Sequence, residues 1–217
     1  MIDLHTHTLL SDGVLIPSEL IQRAYTAGYR ALAITDHVDP SNIDIAVPKI
    51  VETIEALKEY LRLTVIPGAE ITHVPPGLIG KMVERARALG AKIVVVHGET
   101  LAEPVAAGTN RAAIEAGADI LSHPGLISVE DALTAKGKGV ALEITSRKGH
   151  SISNGHVAKI AMETGAMLVI NTDSHAPEDL ISRDRAKLIL HAAGIEEEKI
   201  DRVLANSERL VDKFRRN

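Results

Sequence analysis

Apolar residues recur at helical spacing over Pro17–Ala27, Val47–Leu61, Leu78–Leu89, Thr109–Ala116, Val129–Ala135, His156–Thr164, Glu178–Ala193 and Glu196–Phe214. Between them lie short aliphatic runs: Ile2–Leu4, Ala31–Thr35, Leu63–Ile66, Lys92–Val96, Asp119–Leu121, Val140–Ile144 and Met167–Ile170. These runs lack polar/apolar alternation, which fits parallel strands covered on both faces. The repeated strand–helix alternation predicts a parallel α/β sheet, either closed as a TIM-like barrel or doubly wound. Gly28, Gly90, Gly117 and Gly165 each precede a strand, as a left-handed helix cap would. The strands then end in Asp36-His37, His97-Gly98, Ser122-His123 and Asp173-Ser174-His175. A barrel gathers such strand ends at one mouth, whereas an open sheet spreads them along an edge. With no Gly-rich phosphate loop of either common type, the barrel is the preferred architecture. Residues Val38–Ile45 and His150–Gly155 read as βα loops above the site.

A chain of 217 residues, 45% of them hydrophobic, suits one globular domain spanning 1–217. No apolar run approaches the ~20 residues of a bilayer span, so no membrane partner is expected. The absence of cysteine excludes disulfide and thiolate chemistry. Met1-Ile2-Asp3-Leu4 has neither a basic nor an extended apolar leader region, so a cytoplasmic location is expected. A formal charge of −5, three Tyr, one Phe and no Trp lead to the expectation that no long nucleic acid is a partner. Nothing in the sequence points to an oligomeric state. Against this ordinary background, ten histidines stand out.

His5 and His7 close the first strand, and residues i and i+2 of extended backbone share a face, so both imidazoles can reach one metal ion. Asp173 and His175 repeat the device on the last strand, with Asn171 two residues earlier on the same face. His37, His97 and His123 lie at three further strand ends. A single histidine in such a place is more often a core or loop residue, but five strands ending this way are not explained by that reading. Glu70 follows the third strand in the same sense; a buried carboxylate among imidazoles is best explained as a metal ligand, bridging two ions where two are present. Asp12, in Ser11-Asp12-Gly13, is either a further ligand or an Asx turn.

The order His5-x-His7, Ser11-Asp12-Gly13, Thr35-Asp36-His37, Gly68-Ala69-Glu70, His97-Gly98, Ser122-His123-Pro124, Leu142-Glu143-Ile144 and Thr172-Asp173-Ser174-His175 resembles the PHP (polymerase and histidinol phosphatase) family. The resemblance implies a distorted TIM-like (β/α)7 barrel holding two to three divalent ions, Zn, Mn or Fe, at the C-terminal ends of its strands. By position it implies His5, His7, Glu70 and Asp173 around one ion, Glu70, His97 and His123 around a second, and Asp12, His37 and His175 around a third. Glu70, Asp173 and His175 are then the catalytic members of the set. Some members of the family carry His where this chain has Asp12.

That set implies a metal-dependent phosphoesterase in which hydroxide generated at the ions attacks phosphorus. Three carboxylates against three divalent ions leave a formal charge of about +3, which suits a small phosphomonoester such as histidinol phosphate. Arg147 and Lys148 follow a strand and are either substrate-binding residues that grip phosphate or solvated loop charges. His73, His150 and His156 lie near candidate βα loops and either touch substrate or protonate its leaving group, with His73 and His150 expected to bind substrate, or have only a surface role. Glu143 is either an acceptor for a ligand histidine or a structural partner. Alternatives are a phosphodiesterase or nucleotide phosphoesterase of the same family, an amidohydrolase-like barrel, which lacks an evident bridging lysine here, and a non-catalytic barrel acting as a subunit.

Overall fold

The computed structural model describes residues 1–216, the last two by their backbone. Its strands are β1 (Ile2–Asp3), β2 (Ala31–Ile34), β3 (His37–Val38), β4 (Thr64–Ile71), β5 (Ile93–His97), β6 (Ile120–Ser122), β7 (Ala141–Thr145) and β8 (Leu168–Asn171). All pair in parallel, in the order β1-β2-β4-β5-β6-β7-β8, with β3 added against β4. The helices are α1 (Pro17–Thr26), α2 (Ile43–Leu57), α3 (Pro76–Ala88), α4 (Thr109–Glu115), α5 (Val129–Lys138), α6 (Asn154–Thr164), α7 (Arg183–Ala192) and α8 (Glu197–Arg216). The result is a nearly closed seven-stranded barrel, the architecture that the strand-end pattern favours.

Strand periodicity divides the core in two. Leu32, Ile34, Val94, Val96, Leu121, Leu142, Ile144, Leu168 and Ile170 belong to the larger cluster that includes the helices. Their alternates Ala31, Ala33, Ile66, Ile93, Val95, Ile120, Ala141 and Val169 form a second cluster inside the barrel. Continuing the same alternation toward the C-terminal ends replaces aliphatic residues by Glu70, His97, Ser122, Glu143 and Asn171, all buried. The lower barrel is therefore dry and the upper barrel is polar. Leu210, Val211 and Phe214 of α8 pack into the inner cluster and close the barrel from below. Asn206 Nδ2 donates to the carbonyl of Leu168 (2.8 Å) and Lys213 Nζ to the buried Asp119 carboxylate (2.8 Å), fixing that helix in place.

Closure between β8 and β1 is incomplete. The backbone there contributes His7 N–H to Ser174 O (2.8 Å) and Asp173 N–H to His5 O (3.0 Å). Side chains supply the rest: Asn171 Oδ1 accepts from Leu4 N (2.9 Å), and Asp3 accepts from Thr172 Oγ1 (2.6 Å). Burial pushes the Asp3 carboxyl up to about 7.

Several boundaries differ from the sequence expectation, among them an added strand β3 that reaches into the expected loop at Val38 and an α6 that starts at Asn154; three have a direct physical reason. β4 runs on through Glu70 to Ile71, so Glu70 lies within the strand rather than after it. Helix α2 starts at Ile43, not Val47, although Pro48 then falls inside it; burial of Ile43, Ala46 and Val47 offsets the hydrogen bond that proline cannot make. The helix expected over Glu178–Ala193 is split, because the Asp179 carboxylate turns back to the amides of His175 and Ala176 (both 2.9 Å) and Ser182 caps a new start at Arg183.

Candidate metal centre

The upper barrel collects the histidines and carboxylates into one cluster. His5 Nε2 lies 3.1 Å from Glu70 Oε1 and 3.8 Å from Asp173 Oδ1. His7 Nε2 lies 3.1 Å from Asp173 Oδ1 and 3.7 Å from Glu70 Oε2. His123 Nε2 is 3.6 Å from Asp173 Oδ2 and 3.9 Å from Glu70 Oε1. Asp12 Oδ1 stands between His175 Nε2 (3.2 Å) and His37 Nε2 (3.5 Å). Donor atoms of His7, Asp12, His37 and His175 fall within 4.8 Å of one another, as do those of His5, His7 and Glu70, of His5, His123 and Asp173, and of His97, His123 and His150. The last grouping adds His150 to the pair expected around a second ion.

Local geometry explains why the chain folds this way. Glu70 can enter the barrel because Gly68, two residues earlier, has no side chain; a Cβ there would lie 2.5 Å from Ile93 Cγ2 and 2.9 Å from the Ile93 carbonyl. Asp36 breaks the run from β2 into β3. Its carboxylate accepts from Thr8 N (2.7 Å), Thr8 Oγ1 (2.8 Å) and Ser11 Oγ (2.7 Å), anchoring the turn that carries Asp12. Glu143 is the acceptor for a ligand-type histidine: Oε1 receives His5 Nδ1 (2.9 Å) and Asn171 Nδ2 (2.8 Å), and Oε2 receives the backbone N–H of His123 (3.1 Å). Among the described residues, the non-glycine residues with positive φ are His73 (53°), His123 (25°) and Asp173 (54°), all at this mouth. Strain of this kind persists where surroundings over-determine it.

Carboxylates and imidazoles of the cluster shift one another's protonation. Burial alone would lower His5, but the Glu70, Glu143 and Asp173 carboxylates outweigh it and raise His5 well above an ordinary imidazole. Burial alone would raise Glu70 and Asp173, yet the neighbouring imidazoles, His5 foremost, hold both well below the usual carboxylate range. Burial pushes His7 down to about 3 and His97 to about 4. Asp12, despite partial burial, is held at about 2 by His175 and His37.

Hydrogen bonding does not complete the cluster. His5 Nε2, both ring nitrogens of His7, His123 Nδ1 and Asp173 Oδ1 are buried without a hydrogen-bond partner. Orphaned polar atoms are costly in a packed interior. An array of imidazole nitrogens and carboxylate oxygens converging from several strands suits divalent ions, so the residues present fit the metals that the sequence resemblance implies.

Of the substrate candidates, Arg147 reaches the mouth: its Nε is 4.0 Å from Asp173 Oδ2 and its Nη1 is 3.1 Å from Asp179 Oδ2. Lys148 is exposed and pairs with none of these groups. His73 and His150 both face Glu103, at 3.2 and 3.5 Å, a residue that sequence reasoning missed. His156 Nε2 donates to the carbonyl of Ile127 (2.8 Å), which fits a packing role.

Fold and donor set together define a parallel barrel whose C-terminal mouth could hold divalent ions. The PHP domain family model matches residues 3–100. An uncharacterized protein of Methanocaldococcus jannaschii is 50% identical over 204 residues, 93% of this chain and 94% of that one. The chain belongs to the PHP domain family. A Shewanella oneidensis protein named "Probable phosphatase" is 34% identical over 117 residues, 49% of this chain and 43% of that one. A 5'-3' exoribonuclease of Haemophilus influenzae is 40% identical over 70 residues, 32% of this chain and 23% of that one. Among solved structures, a chain of an archaeal ribonuclease P with mature tRNA superposes with TM-score 0.73 at 19% identity, covering 97% of this chain and 90% of that one. Histidinol phosphate phosphatase from Lactococcus lactis superposes with TM-score 0.65 at 15% identity, covering 90% and 94%. The exclusion of nucleic acid drawn from composition is overturned by the exoribonuclease and ribonuclease P matches. Its physical weakness is that a site grasping phosphate through cations needs neither stacked aromatics nor a basic surface track.

No helix among the described residues is long and apolar enough to cross a membrane.

Proposed function

We propose that this protein hydrolyses a small phosphomonoester at a cluster of two to three divalent ions, Zn, Mn or Fe. The observation that carries the reading is the set of orphaned, buried imidazole and carboxylate atoms of His5, His7, His123 and Asp173 at the C-terminal mouth of the barrel. His5, His7, Glu70 and Asp173 would hold one ion, Glu70, His97 and His123 a second, and Asp12, His37 and His175 a third. Bound ions of this kind lower the pKa of coordinated water toward about 7 and offset the negative charge on a phosphoryl group.

The chain's own residues supply the rest. Glu143 holds Nδ1 of His5, so that Nε2 faces the cluster. Asp179 holds Arg147 at the mouth, where its guanidinium can orient phosphate oxygens. The covered barrel interior excludes bulk water from below. Three carboxylates, Asp12, Glu70 and Asp173, against three divalent ions leave a formal charge of about +3, which favours a dianionic monoester over a monoanionic diester.

A second reading, cleavage of a phosphodiester beside a nucleic-acid 5′ end, is favoured by the 40% identity to an exoribonuclease over 70 residues. The deciding experiment is a paired assay on p-nitrophenyl phosphate and bis-p-nitrophenyl phosphate under one metal loading, extended to histidinol phosphate, mononucleotides and a 5′-phosphorylated oligoribonucleotide. Higher kcat/KM on monoesters, with competitive inhibition by inorganic phosphate, is expected. Faster diester cleavage would make the second reading the better one.

A further inference from the structure

We propose that Glu103, outside the set that the family resemblance implies, is a displaceable ligand: it binds the ion held at His97 and yields its place to the substrate's phosphoryl group. The inference rests on the metal reading above. Glu103 Oε2 lies 3.2 Å from Nε2 of His97 and 3.2 Å from Nε2 of His73, and its Oε1 lies 3.5 Å from Nε2 of His150. Donor atoms of His73, His97 and Glu103 are all within 4.8 Å of one another, a spread that one ion can span. His97 Nδ1 is turned to the carbonyl of Gly98 (3.2 Å), which leaves Nε2 as its ligating atom, the atom that Glu103 faces.

A solvated surface ion pair needs one partner; this carboxylate meets three imidazoles from three separate segments: His73 after β4, His97 at the end of β5 and His150 in the turn after β7. The loop that carries it is latched at its base. The Glu99 carboxylate accepts from the amides of Gly108 (3.0 Å) and Asn110 (2.9 Å), Asn110 Oδ1 accepts from Glu99 N (2.9 Å), and Asn110 Nδ2 donates to Pro124 O (2.8 Å). Nearer the tip, Thr100 Oγ1 bonds His150 Nδ1 (2.8 Å), which directs the other nitrogen of that buried ring to Glu103. His73 presents its ring from a left-handed backbone (φ 53°) that a β-substituted residue adopts only under constraint. The side chain of Glu103 is 41% exposed and that of His97 is 3% exposed, so Glu103 reaches the cluster from the solvent side, the side by which a substrate arrives. When phosphate takes the position, His73 and His150 remain as partners for the released carboxylate.

The test uses full-length protein loaded with Co²⁺, comparing wild type, Glu103→Gln and Glu103→Asp. Inorganic phosphate is titrated calorimetrically, and the visible Co²⁺ spectrum is followed without phosphate. Loss of a competing anion should tighten phosphate binding on the order of tenfold in Glu103→Gln, and loss of a ligand should change the Co²⁺ band intensity and speed removal of one ion by a chelator about tenfold or more. Glu103→Asp keeps the charge but shortens the reach, so it should behave like Glu103→Gln. Unchanged spectra and phosphate affinity, weaker phosphate binding in Glu103→Gln, or wild-type behaviour of Glu103→Asp would each overturn the proposal. A wild-type protein that takes up no Co²⁺ would instead overturn the metal reading beneath it.

Discussion

Replacing Glu143 tests how the cluster is built, because this buried carboxylate receives three donors on two oxygens: His5 Nδ1, Asn171 Nδ2 and the His123 amide. In Glu143→Gln one oxygen survives. Placed toward His5 and Asn171, it leaves the new NH₂ facing the His123 N–H; flipped, it faces His5 and Asn171 with a donor. Either way at least one buried donor is unmet, at a cost of about 1–3 kcal/mol. Glu143→Ala leaves all three donors unmet and opens a cavity, so a loss of about 3–5 kcal/mol is expected, enough to unfold many domains. The informative variant is therefore Glu143→Gln. It also replaces an anionic acceptor behind His5 by a neutral one, which should weaken the affinity of the ion bound through His5 Nε2 by about 10- to 100-fold. Competition with a chromogenic chelator measures that affinity, and thermal unfolding of the metal-free protein measures the stability term separately. Lower stability with wild-type metal affinity would refute the reasoning and make Glu143 a structural partner only.

Arg147→Ala should lower kcat/KM for the best phosphate ester by about 1.5–3 kcal/mol of transition-state stabilisation while elemental analysis finds unchanged metal content; kinetics like wild type would return Arg147 to the role of a partner for Asp179. Gly68→Ala should destabilise the protein by about 1–3 kcal/mol in urea unfolding, since the added methyl meets Ile93 and Thr35 inside the barrel; an unchanged midpoint would show that the strands shift freely there. Metal affinity should rise with pH. His5 is raised well above 6.5 in the metal-free fold, so its proton stabilises that fold below pH 6.5, a contribution lost as pH rises through the raised value, and the same proton must leave before an ion binds. Chelator competition at pH 6.5 and 8.5 checks this, and equal affinities would contradict it.

Much of the barrel is legible because its signals are periodic. Parallel strands buried on both faces read as aliphatic runs, and their polar ends read as a repeated interruption of those runs. The donor residues are legible at the ends of those runs: His5 and His7 follow the two-residue period, whereas Asp173 and His175 lie beyond β8, where the left-handed Asp173 (φ 54°) interrupts it. What periodicity cannot convey is contact across loops. Glu103 sits in an irregular stretch with no spacing relation to His73, His97 or His150, and only the folded loop brings them together. Asp36 was hidden by its motif, since it neighbours His37 but has the opposite strand parity and serves the turn at Thr8 and Ser11 instead. The break before α7 was missed because Asp179 has helix-compatible spacing but spends its carboxylate on the amides of His175 and Ala176.

The placement of the cluster follows from where the barrel fails to close. Between β8 and β1 the backbone ladder is reduced to a few bonds, and the two sides of that seam carry His5 and His7 opposite Asp173 and His175. Just beneath the cluster, Asp3 with Thr172 and Asn171 with Leu4 stitch the same seam, and α8 covers the barrel from below. Higher up no comparable neutral stitching exists: His7 and Asp173 approach to 3.1 Å, yet His7 Nε2 and Asp173 Oδ1 lack hydrogen-bond partners. Ions ligated from both sides would supply at the rim what side-chain hydrogen bonds supply just beneath it. Binding free energy would then be spent on closing the mouth of a barrel whose base is already closed, so loss of the ions should loosen the loops around Asp12 and His175 before it threatens the fold as a whole.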